Sequence, residues 1–215
     1  HSFRSVIEGN GRRAVDNPLR IDGSGKYAMD FDGLLDVIKR ERPKMIFVCN
    51  PHNPVGLQWD ADTLRRVADI CHDNGMVLVS DEIYGDMMLA GRRHIPTATV
   101  SEKAAEVTVT LGAPSKTFNI PGIVSAWTVV RSPRLREPFF GWLSASEFNT
   151  PPIAAMVATQ AAYDRGEPWL DQALEYLMAN VRHAGEFFRR ELPQIEMYTP
   201  EASFAIWLDF RRLGL

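Results

Sequence analysis

The chain has little cysteine, little net charge and no long apolar run. Of its 215 residues only Cys49 and Cys71 are cysteines, and both lie among apolar neighbours. This placement predicts buried thiols and argues against a disulfide framework. The five histidines lack the spacing of metal ligands, so we expect no structural metal. A formal net charge of -3 gives no reason to expect nucleic acid or an anionic membrane as a partner.

Membrane-spanning and nucleotide-binding signals are also absent. No apolar stretch approaches the roughly 18 residues that a spanning helix requires, and the N-terminus has no signal-peptide pattern. These absences predict a cytoplasmic protein without a membrane partner. No G-x-G-x-x-G follows a predicted strand, and G-x-x-x-x-G-K-S/T does not occur. Because the chain begins at His1 without a methionine and ends at Leu215 just after an apolar stretch, we expect it to be part of a longer protein.

Short apolar runs alternate with helical patterns through the first half of the chain. The runs at 45–48, 76–79 and 107–111 predict buried strands, and helices capped by Asp30 and Asp60 precede the first two. Residues 125–130 are a candidate further strand. This alternation predicts an α/β fold with three α/β/α layers around a mostly parallel sheet. Irregular chain is expected at 1–30, apart from a candidate strand at 13–15, and again at 133–149.

The second half predicts helices followed by short strands. A small-residue helix should end near Gly166, and apolar residues spaced by threes and fours predict a long helix over 170–188, which Pro193 ends. Strand candidates follow at 196–198 and 204–208. We therefore divide the chain into a large domain at 1–166, a connecting helix at 167–192, and the start of a small α+β domain at 193–215.

Polar side chains follow each of the three predicted parallel strands. Asn53 lies in the loop after the first, Asp81 and Tyr84 directly after the second, and Lys116 after the third. Because parallel strands joined by helical crossovers place their carboxyl ends at one edge of a sheet, we expect these groups to lie together. Gly112 to Ser115 predict a turn that leaves Lys116 at the rim of a crevice.

Each of these residues also has an ordinary structural interpretation. A loop lysine is commonly just solvated, Asn53 could form an Asx turn before a proline, and Asp81 could cap a helix or pair with a cation. Tyr84 could be a half-buried core aromatic. A Ser115–Lys116 hydrolase dyad is conceivable, but adjacent residues in an extended turn usually point apart. It is the joint placement of the four groups that favours a site.

A lysine amine that is desolvated or flanked by cations can attack carbonyls and form a Schiff base. If the partner were an aromatic aldehyde such as pyridoxal phosphate, a carboxylate would have to hold a proton on the ring nitrogen, which Asp81 could do. Asn53 and Tyr84 could donate hydrogen bonds to the ring oxygen. Ile83 has the strand parity of Asp81 and could pack against the ring face.

Three segments carry a resemblance to a known family. NPHNPVG at 50–56, SDEIY at 80–84 and APSKTFNIPG at 113–122 resemble the signature segments of fold type I pyridoxal-phosphate enzymes, the class I/II aminotransferase superfamily. Their amino-acid sequences are most similar to those of the cystathionine β-lyase-like branch, the carbon-sulfur β-lyases. The resemblance implies the large domain of that fold, a Schiff base at Lys116, and Ser115 as a phosphate contact. It also implies homodimers that act on a small amino-acid substrate and release thiol, pyruvate and ammonia.

One position departs from the family pattern. Aminotransferases of this class often carry a phosphate-binding arginine eight positions after the lysine, where this chain has Val124. Two alternatives to a β-lyase therefore stay open: a class I/II aminotransferase, and a non-catalytic regulatory or interaction module that retains the fold.

Overall fold

A computed structural model describes residues 2–214 of the chain. Its helices are α1 (Ser2–Gly9), α2 (Phe31–Glu41), α3 (Ala61–Asp73), α4 (Glu102–Val107), α5 (Pro114–Thr117), α6 (Pro133–Ala145), α7 (Ile153–Arg165) and α8 (Glu167–Glu191). Its strands are β1 (Arg20–Ile21), β2 (Tyr27–Ala28), β3 (Met45–Cys49), β4 (Val77–Asp81), β5 (Thr108–Gly112), β6 (Trp127–Val129), β7 (Glu196–Tyr198) and β8 (Trp207–Asp209). Short 3-10 turns cover Thr97–Thr99 and Arg211–Leu213.

The central sheet has the strand order β3-β4-β5-β6. Strands β3, β4 and β5 are parallel, whereas β6 runs antiparallel to β5. The register places Asp81 beside Cys49 on one side and beside Leu111 on the other. The prediction of a mostly parallel α/β sheet is confirmed. The third strand was placed one residue early, because Val107 closes α4 and the strand begins at Thr108.

Helices pack on both faces of this sheet, as the three-layer prediction requires. Alternate strand residues point to opposite faces, and Val48 and Leu78 join the larger core with α2, α3 and α4. Val79 and Val109 point the other way and meet Leu135 of α6 in a smaller cluster. Asp81 has the parity of Val79 and so belongs to the thinly covered face.

Two predicted helix starts are confirmed in detail. The Asp30 carboxylate accepts a hydrogen bond from the Gly33 amide, and the Asp60 carboxylate accepts one from the Thr63 amide. Each contact satisfies a backbone donor that the first turn of a helix leaves free. At the other end of α3, Gly75 adopts φ +63°, a conformation that glycine reaches without steric cost.

The segments expected to be irregular contain regular structure. The first residues form the amphipathic helix α1, whose Phe3 packs on Phe47 with ring centroids 5.2 Å apart, and no strand forms at 13–15. Strands β1 and β2 form a two-stranded hairpin around the Asp22 turn. Residues 133–145 are helical, because Pro133 occupies the first turn, where its missing N–H breaks no hydrogen bond.

The C-terminal elements follow the predicted order. Helices α7 and α8 meet at Gly166, and α8 runs to Glu191, two residues before Pro193. Strand β7 matches its prediction, whereas β8 begins at Trp207, three residues later than expected, and pairs antiparallel with β7. The division into domains stays a prediction. No helix within residues 2–214 is both long and apolar enough to cross a bilayer.

Candidate active site

Asp81 ends β4 on the thinly covered face of the sheet. Its side chain is half-buried and accepts one hydrogen bond, from the Ile83 amide at 3.2 Å. Burial raises the pKa of this carboxyl above its usual value, and the neighbouring Glu82 adds to the increase. Among the described residues no cation pairs with it. A carboxyl in this state is suited to a positively charged group that a ligand brings.

Tyr84 lies in the turn that follows β4 and is buried. Its ring meets Phe204 edge to face, with centroids 5.7 Å apart. Burial raises the pKa of its hydroxyl, and the charges of Cys49 and Asp81 raise it further. The hydroxyl has no hydrogen-bond partner within residues 2–214, and its proton is free to donate to a ligand. Ile83, half-buried in the same turn, is placed beside Asp81, and its packing against a ring stays a prediction.

Asn53 lies on the exposed part of the loop that follows β3. The Cys49 thiol connects this loop to the end of β3. It donates to the Pro51 carbonyl at 3.2 Å and lies within hydrogen-bonding reach of the Asn53 backbone N–H. Burial raises the pKa of Cys49 to about 12, so the thiol stays protonated and unreactive. Cys49 thus lies beside Asp81 in the sheet and near the Asn53 backbone.

Lys116 lies in the one-turn helix α5 and not in an extended turn, which corrects the local prediction. Pro114 takes the first helical position after extended Ala113, since its fixed φ suits a helix start. The Thr117 hydroxyl donates to the Asp86 carboxylate at 3.1 Å, and this bond fastens α5 to the turn that holds Tyr84. Lys116 is half-buried, and its amine makes no hydrogen bond or ion pair within residues 2–214.

Ser115 precedes Lys116 on α5 and is also half-buried. Consecutive helical residues point about 100° apart, which argues against a Ser115–Lys116 dyad. The predicted phosphate contact of Ser115 stays a prediction. Val124 is 79% exposed, so no buried anchor replaces the missing arginine at that position.

The sequence analysis did not identify the groups behind the site. Glu82, inside the SDEIY segment, is buried, and its carboxylate contacts His94 at 2.8 Å. Asn50, the first residue of NPHNPVG, is fully buried and hydrogen-bonded to residues 95 and 97. Position within a motif was the available signal for both. His94 carries no local signal, because its partners lie 12 and 36 residues away.

Comparisons with known proteins show the family of this chain. The model of the family "Aminotransferase class I and II" matches residues 1–213, and the chain belongs to that family. It is 38% identical over 213 residues to cystathionine beta-lyase PatB of Bacillus subtilis, covering 99% of this chain and 55% of PatB. The chain thus spans about half the length of the curated relatives it matches.

Solved structures give the same picture. Cystalysin from Treponema denticola, which contains a pyridoxal 5'-phosphate cofactor, superposes with a TM-score of 0.91 at 31% identity, over 99% of this chain and 54% of its own. The PLP-bound C-S lyase from Staphylococcus hominis gives a TM-score of 0.87 at 34% identity, over 96% and 51%. Both likenesses support the fold assigned from the three sequence segments.

Proposed function

We propose that the protein is a pyridoxal-phosphate-dependent carbon-sulfur β-lyase that acts on cystathionine or a related cysteine S-conjugate. The observation that carries the proposal is the state of Asp81. Its carboxyl is half-buried, accepts one hydrogen bond and has no cationic partner within residues 2–214. A protonated pyridine nitrogen is the kind of cation that such a carboxyl can hold. The Tyr84 hydroxyl and the Lys116 amine have no hydrogen-bond partner within residues 2–214, and both could bind the same ring.

Each residue has a distinct role in this proposal. When bound, the cofactor supplies an electron sink for the charge left on the substrate's α-carbon. Lys116 would hold the cofactor through its amine nitrogen and would accept the proton from the α-carbon. Asp81 would keep a proton on the ring nitrogen. Tyr84 and Asn53 would donate hydrogen bonds to the ring oxygen, and Ile83 would pack against the ring face.

The remaining contacts and the assembly are also part of the proposal. Ser115 would contact the phosphate, and because Val124 cannot, other phosphate contacts must come from elsewhere in the protein. We propose a cytoplasmic homodimer. Exposed apolar side chains at Phe148, Ile153 and Val157 support an interface near the start of α7, since large apolar patches on a surface mark contacts. Sedimentation of the whole protein would test this, and a monomer at micromolar concentration would contradict it.

The proposed reaction breaks the bond between the substrate's β-carbon and its sulfur. The sulfur leaves as a thiol, and the three-carbon remainder takes up water to give pyruvate and ammonia. The names of the lyase relatives support elimination, whereas the family as a whole also supports transamination as the second candidate. Pyruvate released from cystathionine without a keto-acid acceptor would favour the lyase. A strict need for an acceptor would favour the aminotransferase.

Attachment of the cofactor to Lys116 is the first experiment. The whole protein is loaded with pyridoxal phosphate, reduced with borohydride and digested, and the pyridoxyl group is located by mass spectrometry. We expect it on Lys116 in the wild type and no specific label in Lys116→Ala. Lys103→Ala is the matched control, because Lys103 is an exposed lysine on α4 that pairs with Asp73 of α3. A wild type without label on Lys116 would support the non-catalytic module instead.

A further inference from the structure

A closed ring of buried and half-buried polar side chains lies behind the strand end that carries Asp81. Its members come from the end of β3, the loop after it, the end of β4 and the segment before α4. Three of them are fully buried, and the carboxylate is nearly so. The members are Asn50, Gln58, Ser80, Glu82, His94 and Thr97.

The hydrogen bonds fix the orientation of both amides in the ring. The Ile95 carbonyl only accepts, so the group 2.9 Å from it must be the Asn50 NH2. The Asn50 oxygen therefore faces Gln58, whose NH2 donates to it at 3.2 Å and to the Trp59 carbonyl at 2.8 Å. The Gln58 oxygen is left facing the His94 Nδ1 at 3.3 Å. Because that oxygen is an acceptor, Nδ1 carries a hydrogen.

This orientation requires a proton between His94 and Glu82. With Nδ1 already protonated, the 2.8 Å contact from His94 Nε2 to Glu82 Oε2 needs a second proton, on one atom or the other. The other Glu82 oxygen accepts from the Ser80 hydroxyl at 2.8 Å and from the Thr97 amide at 2.9 Å. One proton is therefore held between Glu82 and His94, and the carboxylate makes three hydrogen bonds in all.

The same ring holds the two backbone segments that carry the proposed cofactor ligands. Ser80 and Glu82 point to the opposite face of β4 from Asp81. The ring therefore contacts this strand on the face away from the Asp81 side chain. The Asn50 backbone N–H donates to the Asp81 carbonyl at 2.9 Å, which continues the hydrogen bonding between β3 and β4. Asn50 also begins the loop that presents Asn53. Asn50 is joined to Glu82 through Gln58 and His94. This link would fix the separation between the Asp81 carboxyl and the side-chain amide of Asn53.

We infer that Glu82 and His94 are positioning residues, whose buried hydrogen-bond ring holds Asp81 and the Asn53 loop in register around the cofactor. The inference deepens the proposed function and rests on it, because the bound ring is what the two groups would share. It assigns a role to the Glu of SDEIY and to a histidine outside every motif. Because Glu82 points away from the Asp81 face of β4 and His94 contacts it there, neither residue would touch the cofactor.

Glu82→Gln and Glu82→Ala separate the hydrogen bonds of the ring from its charge. Glutamine can accept from Ser80 and Thr97 through its oxygen and donate to His94 Nε2 through its NH2, so the ring stays closed with a neutral His94. Alanine leaves three donors unsatisfied in a buried site. We expect pyridoxal phosphate affinity close to wild type in Glu82→Gln, and weaker by about tenfold or more in Glu82→Ala.

Two readouts go beyond activity. Absorbance titration of the whole protein with pyridoxal phosphate gives the dissociation constant and the visible band of the attached cofactor, which should shift in Glu82→Ala. Nitrogen-15 NMR of the cofactor-free protein should find a hydrogen on His94 Nδ1 in the wild type and in Glu82→Gln, as the contact with Gln58 requires. Thr108→Val is the matched control. The Thr108 hydroxyl is buried on the neighbouring strand without a partner, so its removal should change neither readout.

The outcomes separate the inference from the proposed function. A wild type that attaches no cofactor at Lys116 would defeat both. Attachment in the wild type, with unchanged affinity and spectrum in Glu82→Ala, would overturn the positioning role alone. If Glu82→Ala fails to fold, His94→Gln makes the same test. The new glutamine can donate a hydrogen bond to Glu82 but loses the contact with Gln58. The inference then expects weaker binding of pyridoxal phosphate. Wild-type affinity in His94→Gln would overturn it.

Discussion

Gly56 ends the NPHNPVG loop at a point where the C-terminal segment packs against it. Its carbonyl accepts hydrogen bonds from the Glu201 and Ala202 amides at 2.7 and 3.0 Å. Gly56 has φ +72°, and an added Cβ would lie 2.6 Å from the Ala202 carbonyl oxygen and 2.6 Å from the Pro200 Cβ. Gly75 also has a positive φ, +63°, but an added Cβ there meets nothing within 4 Å. The two glycines therefore separate backbone strain from crowding.

The expected costs follow from these contacts. An alanine forced into the left-handed region costs about 1–2 kcal/mol, which is the whole effect expected for Gly75→Ala. Crowding in a packed site adds about 1–3 kcal/mol, so Gly56→Ala should lose about 2–5 kcal/mol. Urea unfolding of the whole protein, followed by far-ultraviolet circular dichroism, gives both free energies by linear extrapolation.

The difference between the two variants decides the outcome. Equal losses in Gly56→Ala and Gly75→Ala, at equal slopes against urea, would show that the 200–202 segment does not press on the motif loop. That result would refute the packing argument while leaving the backbone argument intact. A Gly56→Ala protein that unfolds with a changed slope would not be comparable, and thermal unfolding of both variants would then replace the urea measurement.

Three further predictions concern the core, the Asp81 carboxyl and the thiols. Leu78→Ala should lower the free energy of unfolding by about 3–5 kcal/mol in the same urea assay, because Leu78 is 0% exposed; Leu35→Ala, 44% exposed, should cost under about 1 kcal/mol. Burial raises the Asp81 pKa in the fold, so its contribution to stability is present at low pH and lost as pH rises through that pKa. The melting temperature of cofactor-free Asp81→Asn should therefore rise relative to that of the wild type as pH increases. A difference in melting temperature that does not change with pH would contradict this. Burial raises the pKa values of Cys49 and Cys71 to about 12, so an aromatic disulfide reagent at pH 8 should label neither until urea unfolds the chain. Rapid labelling of the native protein would show that the thiols are accessible.

Elements with strong local signals were predictable from the sequence. The caps at Asp30 and Asp60 and the apolar runs of β3 and β4 are fixed by neighbours a few residues away. The prolines of α6 misled the prediction, because a proline does not always end a helix. Pro133 occupies the first turn, while Pro138 lies inside the helix.

The direction of β6 and the ring behind β4 could not be predicted in this way. Strand β6 pairs antiparallel with β5, and the Trp127 ring lies over Gly112, where an added Cβ would be 2.1 Å from the indole. In the buried ring, Asn50 meets Thr97 across 47 residues of chain. Contacts at such separations depend on the assembled fold, and no local periodicity encodes them.

The conformation of Lys116 illustrates the same division at the site itself. Residues 112–115 were correctly expected to end a strand, but a proline followed by small polar residues suits a turn and a first helical turn equally well. Once the helix forms, consecutive side chains diverge, and Thr117 is directed to Asp86, 31 residues earlier in the chain. Lys116 is then held by the backbone of a helix whose anchor is Thr117, and its amine keeps no partner of its own within residues 2–214. The sequence could locate the lysine, whereas its freedom to react depends on a hydrogen bond made by its neighbour.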